Sequence, residues 1–408
     1  MNDAIAARYD VILVGAGVAG SRLLHHLLAG AWRDRRILVI ERDPAGRGDH
    51  VLAFWADRPT DLDPLIEHRW TALRVVSPGG DARTCAVTEP HYVATRRARV
   101  TARVVGPNLR WLTGEVEEVV DGVDAAAVRV GERWYHGSWV FDARRGAPGP
   151  ATVRLLQRFT GWTVEAAALR LDPAVATLFD FRTAQVGGIG FMYLLPLAPG
   201  RALVEHVFTG PPGADPPPSE ALLSTFLADH LGLAHDDLRV VARERGSSLL
   251  SDARHPRRGG RRICNIGARG GRLKASTGYA LTRIEADSAA IVRSLATRGH
   301  PFRRPRDRRL YRLLDAIFLW VLAREPGRAP AIYAAMMRRP AALLRFLDER
   351  PRLLDLLGLL LALPTWVFVR ALWRWSWARR DAGAELRSLV AAAPSSPEGG
   401  RPDGAERA

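Results

Sequence analysis

The sequence is poor in three features that often reveal a function. Only two cysteines occur, Cys85 and Cys264, and they cannot build a disulfide framework or a cysteine zinc cage. We therefore expect a reducing compartment and no metal site. Of the 59 lysine and arginine residues, only Lys274 is a lysine. The longest apolar run, residues 356–369, has 14 residues and contains Pro364, so it is too short and broken to predict a membrane span.

The remaining composition is that of a globular protein. The 408 residues are 47% hydrophobic and 25% charged, which excludes long disorder and collagen-like repeats. This length predicts two or three domains, or one large enzyme with an inserted domain. The short polar segment at the N-terminus does not have the pattern of a signal peptide.

The net charge of +16 predicts attraction to a polyanion, either nucleic acid or an anionic membrane surface. No helix-turn-helix, zinc-finger or RNA-binding signature occurs in the sequence. We therefore expect no nucleic-acid partner.

The first 41 residues follow a nucleotide-binding pattern. Apolar and β-branched residues at 9–14 predict a buried parallel strand, and the spacing at 21–28 predicts a helix after it. Residues 37–40 predict a second strand, which ends at Glu41. This order of strand, glycine-rich turn, helix, strand and acid is typical of a dinucleotide-binding βαβ unit.

Three glycines lie in the turn between the first strand and the helix. Gly15 permits the tight turn, Gly17 lets the backbone approach a pyrophosphate, and Gly20 allows close packing of the helix on the strand. The helix N-terminus offers free N–H groups to the phosphates, and Glu41 can accept hydrogen bonds from ribose hydroxyls. We predict a dinucleotide site here, with a plain structural turn as the alternative.

Two later segments extend this domain. Residues 140–144 predict a strand that ends at Asp142, and residues 262–267 predict another strand before a second glycine-rich turn. The glycines of that second turn are Gly267, Gly270 and Gly271. A first motif at the start of the chain with a second one far downstream is typical of flavoproteins whose nucleotide domain is interrupted by a substrate domain. We therefore favour FAD over NAD as the cofactor.

These patterns predict an α/β fold. It comprises an FAD-binding Rossmann-like domain with a doubly wound parallel sheet, an inserted antiparallel β-sheet substrate domain and a C-terminal helical region. Two apolar strands at 190–196 and 201–208, joined by a Pro-Gly turn, indicate the antiparallel sheet, and a helix capped by Ser219 follows. The predicted limits are 1–50, 100–150 and 255–300 for the FAD-binding domain, 51–99 and 151–254 for the substrate domain, 301–390 for the helical region and 391–408 for a disordered tail.

The helical region is rich in leucine, tryptophan and arginine. Four tryptophans and four arginines alternate between Trp366 and Arg380. Tryptophan suits the lipid headgroup boundary and arginine pairs with anionic lipid. We predict peripheral attachment of a cytoplasmic protein to the inner membrane, with a helix packed in the core as the alternative.

Several segments in order along the chain resemble the flavin-dependent lycopene β-cyclases of bacteria and plants. They are residues 9–20, 41–43, 50–55, 141–144, 157–165, 191–205 and 267–279. The resemblance implies a non-redox isomerase of carotenoid biosynthesis. Such an enzyme converts the ψ-end groups of lycopene to β-ionone rings, requires reduced FAD, and uses NAD(P)H as the reductant.

The resemblance also implies roles for single residues. Glu205 lies where the family has its proton-donating acid, and apolar neighbours on its strand favour a raised pKa. The alternative is a solvent-facing glutamate. Thr277 and Gly278 belong to the segment that closes over the flavin. The expected substrate-binding residues are His50, Trp55, Tyr193, His206 and Tyr279. Because neighbours on a strand point to opposite faces, His206 has a structural role as its alternative.

Two other functions stay open from the sequence. One is a flavin monooxygenase or a prenyl or carotenoid reductase of the same fold, although Ala268 stands after Gly267 where hydroxylases usually have aspartate. The other is a non-catalytic flavin-binding membrane protein.

Overall fold

The computed structural model describes residues 8–43, 49–56, 60–87, 91–146, 149–304, 307–347 and 353–392. Seven of its strands form a sheet around the N-terminal strand. Numbered along the chain, they are β1 (Arg8–Val14), β2 (Ile37–Glu41), β8 (Leu109–Thr113), β9 (Glu118–Val120), β10 (Ala126–Val130), β11 (Arg133–Asp142) and β17 (Ile263–Asn265). The parallel part of the sheet has the strand order β8–β2–β1–β11, and β17 pairs in parallel with the end of β11. An antiparallel edge is added by β10, which pairs with β11, and by β9, which pairs with β10.

Both faces of this sheet are covered, which explains the continuous apolar run of β1. Val11 and Leu13 pack in the cluster that contains the helices α1 (Val18–Ala29) and α4 (Leu281–Arg298), and Ile12 and Val14 pack in a cluster on the opposite side. A buried ion pair joins the two helices, because Arg22 Nε lies 2.7 Å from Glu285 Oε2. The predicted order of strand, glycine turn, helix and strand is confirmed.

A second sheet has seven strands and is almost entirely antiparallel. Its strands are β5 (Ala72–Val76), β6 (Ala82–Ala86), β12 (Arg154–Glu165), β13 (Val175–Asp180), β14 (Ile189–Ala198), β15 (Arg201–Gly210) and β16 (Arg239–Ser251), in the order β16–β12–β15–β14–β13–β5–β6. Only the β13–β5 pair is parallel. A third sheet contains β3 (Val51–Ala56), β4 (His68–Trp70) and β7 (His91–Arg96), and the one-turn helix α2 (Arg97–Val100) follows it.

One face of the antiparallel sheet is covered by α3 (Ser219–Leu231). The predicted helix is present, but the expected cap is wrong. Pro218 is the N-cap residue, and the Ser219 hydroxyl contacts His206 Nδ1 at 2.9 Å instead of a backbone N–H. The opposite face of the sheet borders the cavity described below.

The described C-terminal segment forms helices α5 (Arg309–Arg324), α6 (Ala329–Met336), α7 (Pro340–Leu347), α8 (Leu353–Ala362) and α9 (Thr365–Ala392). Prolines separate them, as the sequence predicts. Buried residues of α5 to α9 form one core cluster with the antiparallel sheet and the third sheet. Residues 391–392 end α9, whereas 393–408, the rest of the predicted tail, lie outside the described residues.

α8 and α9 leave much apolar surface uncovered. Leu361 is 82% exposed, Trp366 71% and Trp373 62%. Within the described ranges, no single helix is long and apolar enough to cross a bilayer. The pair Leu354–Ala362 and Thr365–Arg380 passes that test together, with a bend of 101° between them.

The predicted α/β fold class is thus confirmed, with a parallel sheet, an antiparallel sheet and a C-terminal helical region. The strands of the parallel sheet fall in residues 8–41, 109–142 and 263–265, within the three segments predicted for the flavin domain. The division into domains stays a prediction.

Candidate active site

The first glycine turn connects β1 to α1 through backbone geometry that side chains would obstruct. Gly15 has a φ of +93°, and a Cβ on Gly20 would lie 2.0 Å from the Gly15 carbonyl oxygen. At Gly17, the N-cap of α1, a Cβ would meet nothing within 4 Å, so open space faces the helix N-terminus. Glu41 lies beside the turn and accepts the Ala16 N–H at 2.6 Å through Oε2.

The second glycine turn follows β17 and touches the first. Gly267 has a φ of +59°, and a Cβ there would lie 2.7 Å from Ala19 Cβ on α1. A Cβ on Gly270 would lie 2.4 Å from the Asn265 carbonyl oxygen, and Gly271 has a φ of +73°. The second turn therefore approaches α1 closely because Gly267 lacks a side chain, whereas Gly270 and Gly271 permit the tight path of the second turn itself.

Asp142 ends β11 next to both turns and is 1% exposed. Its carboxylate accepts a bidentate hydrogen bond from Arg144, and Arg269 Nε lies 3.3 Å from Oδ2. These arginines neutralise the buried charge. Asp142 thus anchors the strand end through arginines, and its predicted contact with the cofactor stays a prediction.

The segment after the second turn is fixed to the helical region by a buried ion pair. Lys274 Nζ donates to Asp315 on α5 at 3.0 Å, and the Ser276 hydroxyl donates to the same carboxylate at 2.6 Å. Thr277 and Gly278 follow and line the cavity, and Gly278 has a φ of +79°. The contact with α5 thereby sets the position of the segment that was predicted to close over a flavin.

A cavity of about 320 Å³ lies between the antiparallel sheet, the third sheet and helices α5 to α7. Its wall near α1 and α4 includes Val18, Leu281 and Ile284. Aromatic residues dominate the centre of the cavity, namely Trp55, Tyr92, Phe179, Phe191, Tyr193 and Tyr279. This volume and apolar lining are typical of small-molecule sites.

Three tyrosine hydroxyls meet in the cavity. Tyr279 Oη lies 3.1 Å from Tyr92 Oη and 3.0 Å from Tyr193 Oη. Burial raises the pKa of each of these phenols, so all three stay protonated at neutral pH. Trp55 packs beside them, with its ring centroid 4.3 Å from that of Tyr92.

Glu205 lies on β15 with its side chain in this cavity, beside Leu203 and Val207 on the same face of the strand. Gly161 of β12 and Tyr193 of β14 are its cross-strand neighbours. Desolvation by the enclosing side chains, together with the nearby carboxyl of Glu244, raises the pKa of Glu205 well above its usual value. Its surroundings therefore favour the protonated form of this acid, which is the direction of pKa shift that the sequence predicts.

Sequence reasoning missed a second carboxyl group in the same cavity. Glu244 lies on β16, and Gly161 pairs with Glu205 on one side and with Glu244 on the other. A Cβ on Gly161 would lie 3.2 Å from Glu205 Oε2 and 3.0 Å from Glu244 Cγ. The glycine therefore leaves room for the two carboxyl groups to approach each other across β12.

Two predicted substrate residues lie elsewhere, whereas Trp55, Tyr193 and Tyr279 line the cavity. His206 points to the opposite face of the sheet, beneath α3, because neighbours on a strand alternate. The structural alternative for His206 fits this position, which lies outside the cavity lining. His50 lies behind the cavity wall, with its ring in an edge contact with Phe159 at 6.1 Å between centroids.

Comparison with known proteins points to one family. The family model described as lycopene cyclase protein matches residues 10–373. A lycopene beta-cyclase of Pantoea ananas is 32% identical over 207 residues, which cover 48% of this chain and 51% of that protein. A lycopene beta-cyclase of a Paracoccus strain is 26% identical over 383 residues, covering 87% of this chain and 94% of that protein. The chain thus matches about half the length of the Pantoea relative.

Solved structures of low sequence identity share the fold. A p-nitrophenol 4-monooxygenase of Pseudomonas putida superposes with a TM-score of 0.59 at 16% identity, covering 84% of this chain and 98% of that one. A geranylgeranyl bacteriochlorophyll reductase-like protein of Thermoplasma acidophilum gives 0.54 at 15% identity, covering 94% and 99%. The halogenase PltM, solved in complex with FAD, gives 0.51 at 11% identity, covering 81% and 76%.

The fold is therefore the one found in these proteins, of which the halogenase was solved with FAD. The family match spans both glycine turns, the strands of all three sheets, the cavity with Glu205 and most of the C-terminal helices. The chain belongs to the lycopene cyclase family.

Proposed function

We propose that the protein is a carotenoid cyclase that converts the ψ-end groups of lycopene to β-ionone rings, giving γ-carotene or β-carotene. The single observation that carries this proposal is a desolvated carboxyl group with a raised pKa, that of Glu205, in a cavity lined by aromatic and apolar side chains. Cyclisation begins when an acid protonates a terminal double bond. The resulting cation is attacked by a neighbouring double bond, and a ring proton is then lost.

The cavity supports each requirement of that chemistry. The apolar walls exclude water, which would otherwise capture a carbocation. The faces of Trp55, Tyr92 and Tyr279 can stabilise positive charge through cation–π contacts. The hydroxyls of Tyr92, Tyr193 and Tyr279 stay protonated, and Tyr279 is hydrogen-bonded to the other two, so these phenols do not compete with Glu205 as charged groups.

The residues at the glycine turns fit FAD. Open space faces Gly17 at an α1 N-terminus that lacks a side-chain cap, so backbone N–H groups are available to a pyrophosphate. We assign Glu41, which lies beside the first turn, to the ribose, and Thr277 and Gly278, which line the cavity after the second turn, to the flavin. Bound in its reduced, anionic form, FAD would supply negative charge that stabilises the cation, with no net electron transfer.

The reaction is tested by the electron balance. Reduced enzyme is incubated with lycopene without oxygen, and the product is analysed by retention time and mass. We expect a cyclic product of unchanged mass, with NAD(P)H consumed only to reduce the flavin at the start. A product two hydrogens heavier would indicate a reductase, and incorporation of oxygen, with air present, would indicate a monooxygenase. In lycopene-accumulating cells, an unchanged pigment would favour a non-catalytic flavin-binding protein.

The cofactor site is tested with two matched glycine variants. Gly17→Val introduces a side chain into open space, so the chain should fold and yet lose flavin because the pyrophosphate is blocked. Gly213→Val introduces the same side chain into open space in a loop far from the turn, and should keep flavin. Flavin absorbance of the purified proteins is the measurement. Full flavin content in Gly17→Val would contradict the assignment.

We also propose that α8 and α9 dock the protein on the cytoplasmic side of the anionic inner membrane. Exposed side chains of both helices supply apolar surface, and Arg374, Arg379 and Arg380 supply positive charge on α9. Helix α7, which carries Leu343 into the cavity wall, packs against α8. A hydrocarbon substrate would then pass from the bilayer to the cavity over a short distance.

Vesicle binding tests this docking. Binding to anionic vesicles should fall steeply with salt and should weaken in Arg374→Gln/Arg380→Gln. The matched control is Arg33→Gln/Arg35→Gln, which removes the same charge from an exposed part of the flavin domain. An equal loss of vesicle binding in both double variants would indicate nonspecific attraction due to the net charge. Equally strong binding to anionic and neutral vesicles would contradict the proposal.

A further inference from the structure

Three neighbouring strands bring two carboxyl groups together in the cavity. β12 is central, with β15 on one side and β16 on the other. The register places Gly161 between Glu205 and Glu244, and the absence of a Cβ at Gly161 leaves both side chains free to lean over it. A side chain at this position would crowd both groups, since even a Cβ would lie 3.0 Å from Glu244 Cγ and 3.2 Å from Glu205 Oε2.

The environments of the two carboxyl groups differ. Glu244 Oε2 accepts the backbone N–H of Val51 at 3.1 Å, and the Arg96 guanidinium also favours its ionised form. Asp49, an ion-pair partner of Arg96, acts in the opposite direction. Burial raises the pKa of Glu244, but the Val51 hydrogen bond and the Arg96 charge limit the rise. Glu244 therefore ionises before Glu205 does.

Glu205 has no comparable donor from the backbone in its surroundings within the described ranges. It faces Glu244 from β16 and the hydroxyls of Tyr92, Tyr193 and Tyr279 from the other walls. All three phenols are neutral, so Glu244 carries the only nearby negative charge among these groups. A second charge so close to the first is strongly disfavoured, and a pair of this kind holds a single proton over a wide pH range.

We propose that Glu205 and Glu244 form a carboxyl pair that shares one proton across Gly161, with Glu244 as the ionised member that keeps the proton on Glu205. Glu244 is thus a positioning residue for the acid. This inference rests on the proposed function of Glu205 as the proton donor. It adds that the acid depends on Glu244, a residue of another strand that lies 39 positions further along the chain.

The proposal explains how the acid is poised for repeated use. Once Glu205 has given its proton to the double bond, two carboxylates face each other in a desolvated cavity. Their mutual repulsion favours the return of a proton to the pair when the ring proton is lost. The proton count of the pair and the atom count of the isomerised hydrocarbon are then both unchanged.

The first test requires no substrate. The carboxylic acid C=O stretch of the full-length protein is followed by infrared spectroscopy as the pH is raised. In the wild type, one buried carboxyl band should persist above neutral pH. Glu244→Gln keeps the size of the side chain and removes its charge, so the band of Glu205 should disappear roughly one pH unit or more lower. Glu165→Gln, on the same sheet but paired at the surface with Arg201 and Arg239, should leave the titration unchanged.

The two proposals fail in different ways in this experiment. If the persistent band remains in Glu205→Gln, Glu205 is not the protonated group and the proposed acid is wrong. If the band is lost in Glu205→Gln but its midpoint is the same in Glu244→Gln and wild type, the acid stands and the shared proton is overturned.

The second test uses the pH dependence of turnover. In Glu244→Gln the high-pH limb of kcat should move to lower pH by the same amount as the infrared midpoint, while turnover at the acidic end is largely kept. A loss by the same factor at every pH would indicate a merely structural role for Glu244 and would overturn the proposal.

Discussion

Burial on the two faces of the antiparallel sheet shifts the pKa values of two neighbouring residues in opposite directions. Glu205 points into the cavity and His206 points beneath α3. Burial disfavours the charged form of each group, so it raises the pKa of Glu205 and lowers the pKa of His206 to about 4. A neutral carboxyl group holds a proton that it can donate, whereas a neutral imidazole has already lost one.

What distinguishes the faces is therefore the space in front of each group. Glu205 faces a cavity with a second carboxyl group across Gly161. His206 faces Ser219, and its Nε2 has no hydrogen-bond partner within the described part of the chain. On the cavity face, desolvation therefore favours a proton donor. On the face beneath α3, it only makes the stability of the fold depend on pH.

The largest expected effect lies on the cavity face. Glu205→Gln keeps the size of the side chain but removes its donatable proton, so turnover should fall by roughly 10²–10⁴-fold, the usual contribution of general acid catalysis. Flavin content should be unchanged. Because the native carboxyl is held neutral against its solution preference, the variant should unfold at an equal or higher temperature at pH 7. Near-normal cyclisation would contradict the assignment of the acid, and Glu205→Asp should restore only part of the rate.

The next effect lies on the face beneath α3 and concerns stability. The unfolded chain binds a proton at His206 below about pH 6.5, but the folded chain does so only near its pKa of about 4. The stability that this residue contributes is therefore complete above pH 6.5 and falls as the pH drops to 4, by on the order of 3 kcal/mol. Urea unfolding of wild type and His206→Gln across this range measures the difference. Identical pH dependence in the two proteins would contradict it.

The smallest effect refines the description of the cavity face. Tyr279→Phe removes the hydroxyl that joins Tyr92 to Tyr193 but keeps the aromatic ring. Each buried hydrogen bond contributes about 1 kcal/mol, so the loss of both should lower turnover by at most about thirtyfold if the network positions the rings. Tyr135→Phe, in the core cluster against the parallel sheet, is the matched control. A loss as large as that of Glu205→Gln would mean that the phenol itself takes part in proton transfer.

The parts of the fold that could be predicted depend on contiguous sequence. The first βαβ unit was recognised because the strand, the three glycines, the helix and Glu41 all occur within 41 residues. The strand with Glu205 was recognised for the same reason, since its hairpin is closed by a short turn.

The carboxyl pair could not be predicted in this way. Gly161 and Glu244 are 83 residues apart, and their contact depends on the register of two long strands. The pattern around Glu244 also lacks clear alternation, because charged residues occupy both sides of it. His206 illustrates the reverse case. Its direction follows from strand alternation, but the partner that makes it structural, Ser219, belongs to a helix whose docking no local pattern encodes.

The ion pair between Lys274 and Asp315 has a practical consequence for labelling experiments. Amine-directed reagents have a single lysine target in this chain, and that amine is 1% exposed. It can react only when the segment with Thr277 and Gly278 separates from α5. The rate of modification, followed by mass spectrometry, therefore measures how often this contact opens. A slower rate in protein purified with its flavin than in Gly17→Val would show that an occupied nucleotide site holds the segment against the helices.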